Sequence, residues 1–95
     1  MIFARVAGKV VGRAMQQVGG EQVAKVTINA RSEGCRYIVI GYLTGNDAER
    51  VIGADDVIEV EGQARPGYHR GGVRPYGVLH VNVERVLRHE AVATL

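Results

Sequence analysis

The chain has 95 residues, enough for one domain with a modest core and too few for two. Apolar residues make up 46%, many of them Val and Ile, which favours β structure, and 13 glycines against 2 prolines predict turns and bulges rather than a disordered polymer. A formal charge of +2 argues for no polyanionic partner by itself, and a single cysteine excludes an internal disulfide.

The opening Met1-Ile2-Phe3-Ala4-Arg5-Val6 lacks a basic leader followed by an apolar stretch, so no secretory signal is expected. No apolar run approaches the roughly 20 residues that span a bilayer. The expectation is a soluble cytoplasmic protein without a membrane partner.

Ile2–Val11 reads as a first strand, with Ile2, Ala4, Val6 and Val10 on one face and Arg5, Lys9 and Arg13 on the other. Gly8 and Gly12 interrupt it where a bulge or sharp bend belongs. Gly19-Gly20 marks a turn. Gln22–Ala30 alternates cleanly, with Ala24, Val26 and Ile28 inward and Lys25, Thr27 and Asn29 outward. Cys35–Leu43 is a third strand whose two faces, Tyr37 and Val39 against Ile38 and Ile40, compete for the core. Asn46 or Asp47 is placed to cap a short helix over Ala48–Ile52 that ends near Gly53. Asp55-Asp56 forms the turn into a fourth strand, Val57–Arg65, its carboxylates capping backbone N–H groups. Ile58, Val60 and Ala64 of that strand point inward. Tyr76–Leu87 is a fifth strand, with Leu79, Val81 and Val83 opposite Val78, His80 and Asn82. The domain covers residues 1–88, and the tail 89–95 is expected to be frayed or weakly packed.

Charge is unevenly spread along this plan. Asp47–Glu61 carries six acids and one arginine, whereas Gly62–Val83 carries three arginines and no acid. Within the latter, Pro66–Tyr76 holds Tyr68, His69, Arg70, Arg74 and Tyr76 between the two last strands. Guanidinium groups there can meet phosphates, and tyrosine rings can stack on unpaired bases.

Three strands, a short helix and two strands joined by a long hairpin is the order of an all-β OB-fold, a five-stranded Greek-key barrel that binds oligonucleotides through its strand 1–2 and 4–5 loops. The motifs agree with that order. Val6-Ala7-Gly8-Lys9-Val10-Val11-Gly12 resembles the opening strand of the bacterial single-stranded DNA-binding protein family, which includes the shorter primosomal replication protein. Val23–Ala30 is similar to that family's second strand, Ile38-Val39-Ile40-Gly41-Tyr42-Leu43 to its third, and Val60-Glu61-Gly62-Gln63-Ala64-Arg65 to its fourth. The matches run in order over about Met1–Leu87.

The resemblance implies sequence-tolerant binding of single-stranded DNA, or of RNA, in replication, repair or recombination. It also implies a homodimer or homotetramer joined through strand 1. The chain departs from the family in having no tryptophan. Tyr68 or His69 stands where the hairpin tryptophan falls, and Gly34 lies near another such position. The end Ala93-Thr94-Leu95 lacks an acidic tip, so recruitment of repair enzymes through a tail is not expected.

The candidate nucleic-acid-binding residues are Lys25, Thr27, Arg36, Arg65, Tyr68, His69, Arg70, Arg74 and Tyr76. Lys25, Thr27 and Arg36 belong to the outer face of strands 2 and 3, and the rest to the hairpin. Lys9 and Arg13 are weaker candidates, because strand 1 is also the candidate pairing edge, and Ile38 and Ile40 either line the groove, as the resemblance implies, or are buried in the core. Catalysis is not expected. Cys35 fits an inert strand cysteine. None of His69, His80 and His89 stands at metal-ligand spacing from Cys35 or from another histidine, so no metal or other cofactor is foreseen. Gly71-Gly72 lacks the following Lys-Ser or Lys-Thr of a nucleotide loop. The alternative is an assembly subunit that grips a protein partner with the same hairpin and binds DNA weakly or not at all.

Overall fold

Period-two alternation in the second strand drives Ala24, Val26, Ile28 and Ala30 to one face, where all four lose contact with solvent. The computed structural model of the chain describes residues 2–32, 35–69 and 76–92, and for residues 31–32, 35–36, 68–69 and 76–77 the backbone path. It is all-β apart from one 3₁₀ turn. The elements are β1 (Ile2–Val18), β2 (Glu21–Ser32), β3 (Cys35–Leu43), the 3₁₀ turn Gly45–Glu49, β4 (Val57–His69) and β5 (Tyr76–Glu90).

Hydrogen-bonded neighbours run β1-β2-β3-β5-β4, and β4 pairs back onto β1, so the sheet closes on itself. All ladders are antiparallel except β3–β5. One long strand makes the closure possible. β1 pairs with β4 over Ile2–Lys9 and with β2 over Gly8–Val18, and its register with β2 slips between Val10 and Gly12. At the changeover the Asp55-Asp56 turn is stitched on by two backbone bonds: Val10 N–H donates to the Asp56 carbonyl and Asp55 N–H to the Val10 carbonyl, each at 2.8 Å.

The core is the inner surface of this closed sheet. Val6, Val10, Ile28, Val39, Leu43, Ile58, Val60 and Val81 fill it, joined by Ala48 of the 3₁₀ turn and by Ile52 after it. The inward assignments for β2 and β4 hold; in β5, Val81 and Val83 are core and the partly buried Leu79 packs against it, opposite His80 and Asn82, whereas Val78, expected on that other face, is buried at 3% exposure. In β3 the odd positions win: Val39 and Leu43 are core, which turns Ile38, Ile40 and Tyr42 outward.

Five expectations need correction. β1 continues past Val11 to Val18 because backbone pairing with β2, rather than burial, carries it, and Arg13–Val18 are all exposed. Ile2 is exposed rather than inward. The short helix is a 3₁₀ turn over Gly45–Glu49 preceded by Thr44, which makes no side-chain cap; Asp47 instead accepts a 2.9 Å bond from Arg50 Nε, and Ala48 alone of the turn is buried. β4 and β5 also outrun their expected ends at Arg65 and Leu87. Beyond Leu87, His89 and Val92 are tied to Asp56 rather than frayed.

A candidate nucleic-acid interface on the outer face

Because side chains alternate across a strand, the residues that flank each core position share the outer surface. Register then decides which of them meet. One row of facing residues runs Thr27, Ile40, His80 and Arg65 across β2, β3, β5 and β4; the next runs Lys25, Tyr42, Asn82 and Gln63. Three sequence candidates, Lys25, Thr27 and Arg65, therefore stand in two adjacent rows although 40 positions separate the outer two. Arg65 is exposed, Lys25 and Thr27 are half-buried, and an open depression beside them is lined by Gln63, Ala64, Arg65 and Asn82. Ile40, flanked on both sides, is nearly covered although it lies on the outer face.

Between the cations lie two aromatic rings. Tyr42 and His80 form an offset parallel pair with ring centroids 5.9 Å apart and planes 15° apart, and the Tyr42 hydroxyl is 2.9 Å from His80 Nδ1. The His80 ring lies against the backbone of Gly67, where a Cβ would stand 2.6 Å from Cδ2 and 2.7 Å from Nε2. Only glycine leaves room for the ring there. Burial lowers the His80 pKa below 6.5, and the charges of Arg65 and then Lys25 push the same way. The charged form of the ring is thereby disfavoured, by burial first and by the two cations after it.

The remaining candidates divide by position. Arg36 lies on β3, Tyr68 and His69 at the end of β4, and Tyr76 at the start of β5, where their backbones pair Arg36 with Arg31, Tyr68 with Gly77, and His69 with Tyr76. Arg70 and Arg74 lie outside the described residues, as does Gly34. Lys9 faces Asn29 and extends the outer surface by one row. Arg13 is committed elsewhere: its Nη2 donates to the Ala48 carbonyl at 2.9 Å and ties β1 to the 3₁₀ turn.

Sequence reasoning did not single out Tyr42, His80, Gln63 or Asn82. The alternation of β5 already set His80 and Asn82 opposite the core residues. The missing information was the parallel β3–β5 register, which sets Asn82 beside Tyr42 and His80 beside Ile40.

Two carboxylates elsewhere behave differently. Glu61 on β4, 5% exposed, accepts bonds from Arg85 of β5 (Nε at 2.7 Å, and Nη2) and from Arg5 Nη2 of β1 at 3.4 Å. Its pKa is lowered, chiefly by the bond from Arg85, against an opposing effect of burial. Asp56, also 5% exposed, accepts from His89 Nε2 at 2.8 Å and from the N–H groups of Gly53 at 2.9 Å and Val92 at 3.1 Å. These bonds, that of His89 first, pull its pKa from 3.8 down to about 2. The carboxylate capping expected of this turn is thus made by Asp56.

Among the described residues no three His, Cys, Asp or Glu side chains gather as a metal site would require, and no helix is long and apolar enough to cross a membrane. The chain matches no family model, no curated protein and no solved structure.

Proposed function

We propose that the closed five-stranded sheet is an OB-fold and that its outer β2-β3-β5-β4 face binds single-stranded DNA with little sequence preference, in replication, repair or recombination. The observation that carries this is the convergence of Lys25, Thr27 and Arg65 around two half-buried rings on one open face. Among the described residues neither cation is in an ion pair with a carboxylate, so their charge is available to phosphates. Flat rings between cations suit a polymer of alternating bases and phosphates, because every base has a face to stack on. The strand order β1-β2-β3-β5-β4 and the ordered motifs of the single-stranded DNA-binding protein family support the same reading. Arg36 of β3 and the hairpin residues Tyr68, His69, Arg70, Arg74 and Tyr76 extend the proposed surface by sequence, and the proposed address is cytoplasmic.

A second copy of the chain is the proposed partner. Among the described residues Ile2–Ala7 have no partner on the β2 side of β1, and the strand exposes Ile2, Phe3, Val11, Met15 and Val18, apolar side chains that pairing with another β1 would help cover. Sedimentation at micromolar concentration is expected to give a dimer or tetramer; a monomer would remove this part.

The test of binding is a gel-shift comparison of a mixed-sequence oligonucleotide with its own duplex. The single strand should bind more tightly, since the rings reach only unpaired bases. Equal or stronger binding of the duplex would overturn the proposal.

A further inference from the structure

The Tyr42–His80 pair has a geometry that ordinary strand surface does not need. Two nearly parallel rings are held by a hydroxyl-to-imidazole bond, and one of them rests in a gap kept open by Gly67. Each ring is half-buried, so part of each remains open to solvent. Lys25 pairs with Tyr42 across β2–β3, and Arg65 pairs with His80 across β4–β5, so a positive charge adjoins each ring.

We infer that Tyr42 and His80 form the stacking seat for one unpaired base, with Lys25 and Arg65 taking the phosphates on either side, and that His80 takes up a proton when a strand occupies the face. This rests on the single-strand reading above and adds the seat and its proton linkage. The charged and titratable groups that face His80 among the described residues are Lys25 from β2, Tyr42 from β3 and Arg65 from β4. No carboxylate joins them. In the free protein both cations oppose an imidazolium. Phosphates drawn to Lys25 and Arg65 neutralise that opposition and bring negative charge within a few ångströms of the ring, which favours the charged form. A base over the ring works against it by excluding water. The phosphates prevail because their charge acts on His80 directly and also cancels two cations.

The hydroxyl of Tyr42 lets the pair survive the change. It donates to Nδ1 of the neutral imidazole and, by rotating, accepts from Nδ1–H of the imidazolium. The seat therefore keeps its geometry in both protonation states. Binding coupled to proton uptake must strengthen as pH falls. The gain is complete below the free-state pKa of His80 and absent above its bound-state pKa. A bound-state value one unit higher makes binding tenfold tighter at the acidic end.

The probe is an oligothymidylate, whose bases do not titrate between about pH 5 and pH 8. Affinity would be measured across that range for the parent chain and for His80→Asn, Tyr42→Phe and Tyr42→Ala. The parent should bind up to about tenfold more tightly at pH 5, and His80→Asn should lose that gain when compared in a His69→Asn background, which removes the other histidine of the proposed surface. Tyr42→Phe, which keeps the ring, should stay within about threefold of the parent, whereas Tyr42→Ala should lose about tenfold, the scale of one base–aromatic stack. Should a variant fail to fold, NMR titration of His80 in the parent, with and without the oligonucleotide, still decides the matter. A pKa raised by the ligand supports the inference. A pKa unchanged or lowered while the strand is bound overturns it and leaves the single-strand reading standing. An oligonucleotide that binds at no pH overturns both.

Discussion

Arginine is used in two ways in this molecule, and the contrast separates structure from function. On the β1-β4-β5 side Arg5 and Arg85 converge on the buried Glu61, so their charge is spent on holding three strands together. On the β2-β3-β5-β4 side Arg65 and Lys25 meet no carboxylate among the described residues; they surround a tyrosine and a histidine instead. Both kinds of cation lie on strands and are partly open to solvent. What distinguishes them is whether the register brings a carboxylate or a ring opposite. Composition could not show this, since the chain as a whole is nearly neutral.

The seam between β4 and β5 supports both regions and offers the largest expected effect. A Cβ at Gly62 would collide with the Asn82 carbonyl, so Gly62→Ala must push β5 away from β4. We expect a loss of about 3 kcal/mol in denaturant unfolding, at the upper end of ordinary overpacking, together with weakened oligonucleotide binding. Unchanged stability would mean that the seam is looser than the register implies.

Asp56 comes next and belongs to the structural side alone. Its carboxyl is held at about 2, below its unfolded 3.8, so the unfolded chain binds the proton more readily. The resulting stability is fully present above about pH 4 and is lost as pH falls toward 2. Asp56→Asn should lower the melting temperature at pH 7, flatten the acid limb of the stability profile and leave strand binding by the folded protein intact. An acid limb as steep as that of the parent would show that Asp56 is not its source.

Glu61→Gln should act in the same direction and more weakly. Its pKa is also lowered, yet its partners Arg5 and Arg85 have side chains 63% and 70% exposed, so water and salt screen the pairs. Thermal unfolding at low and high salt checks this, and the difference from the parent should shrink as salt rises.

Much of the fold was legible because alternation is local. Ala24-Lys25-Val26-Thr27-Ile28 announces one buried and one open face, and Gly19-Gly20 supplies the turn before it, with φ of 58° and 81°. The second half of β1 was not legible: Arg13-Ala14-Met15-Gln16-Gln17 buries nothing, and its strand character comes from pairing with β2. The turn after β3 tightened to 3₁₀ because one buried alanine anchors too little for a longer helix. The candidate site was half legible. Lys25, Thr27 and Arg65 follow from alternation and charge. Tyr42–His80 spans 38 positions and Asp56–His89 spans 33, and such partnerships depend on registers that no local pattern encodes.

The central claim is that Lys25 and Arg65 are phosphate contacts rather than solvated surface charges. It is tested most directly by fluorescence anisotropy of a labelled oligothymidylate against the parent and the Lys25→Ala/Arg65→Ala double variant over a series of salt concentrations. Each phosphate contact contributes about −0.7 to the slope of log affinity against log salt for a single strand. The account predicts that the double variant binds more weakly at low salt, with a slope shallower by about 1.4, while the melting temperature is unchanged. Superimposable lines for parent and variant, in both affinity and slope, would contradict it.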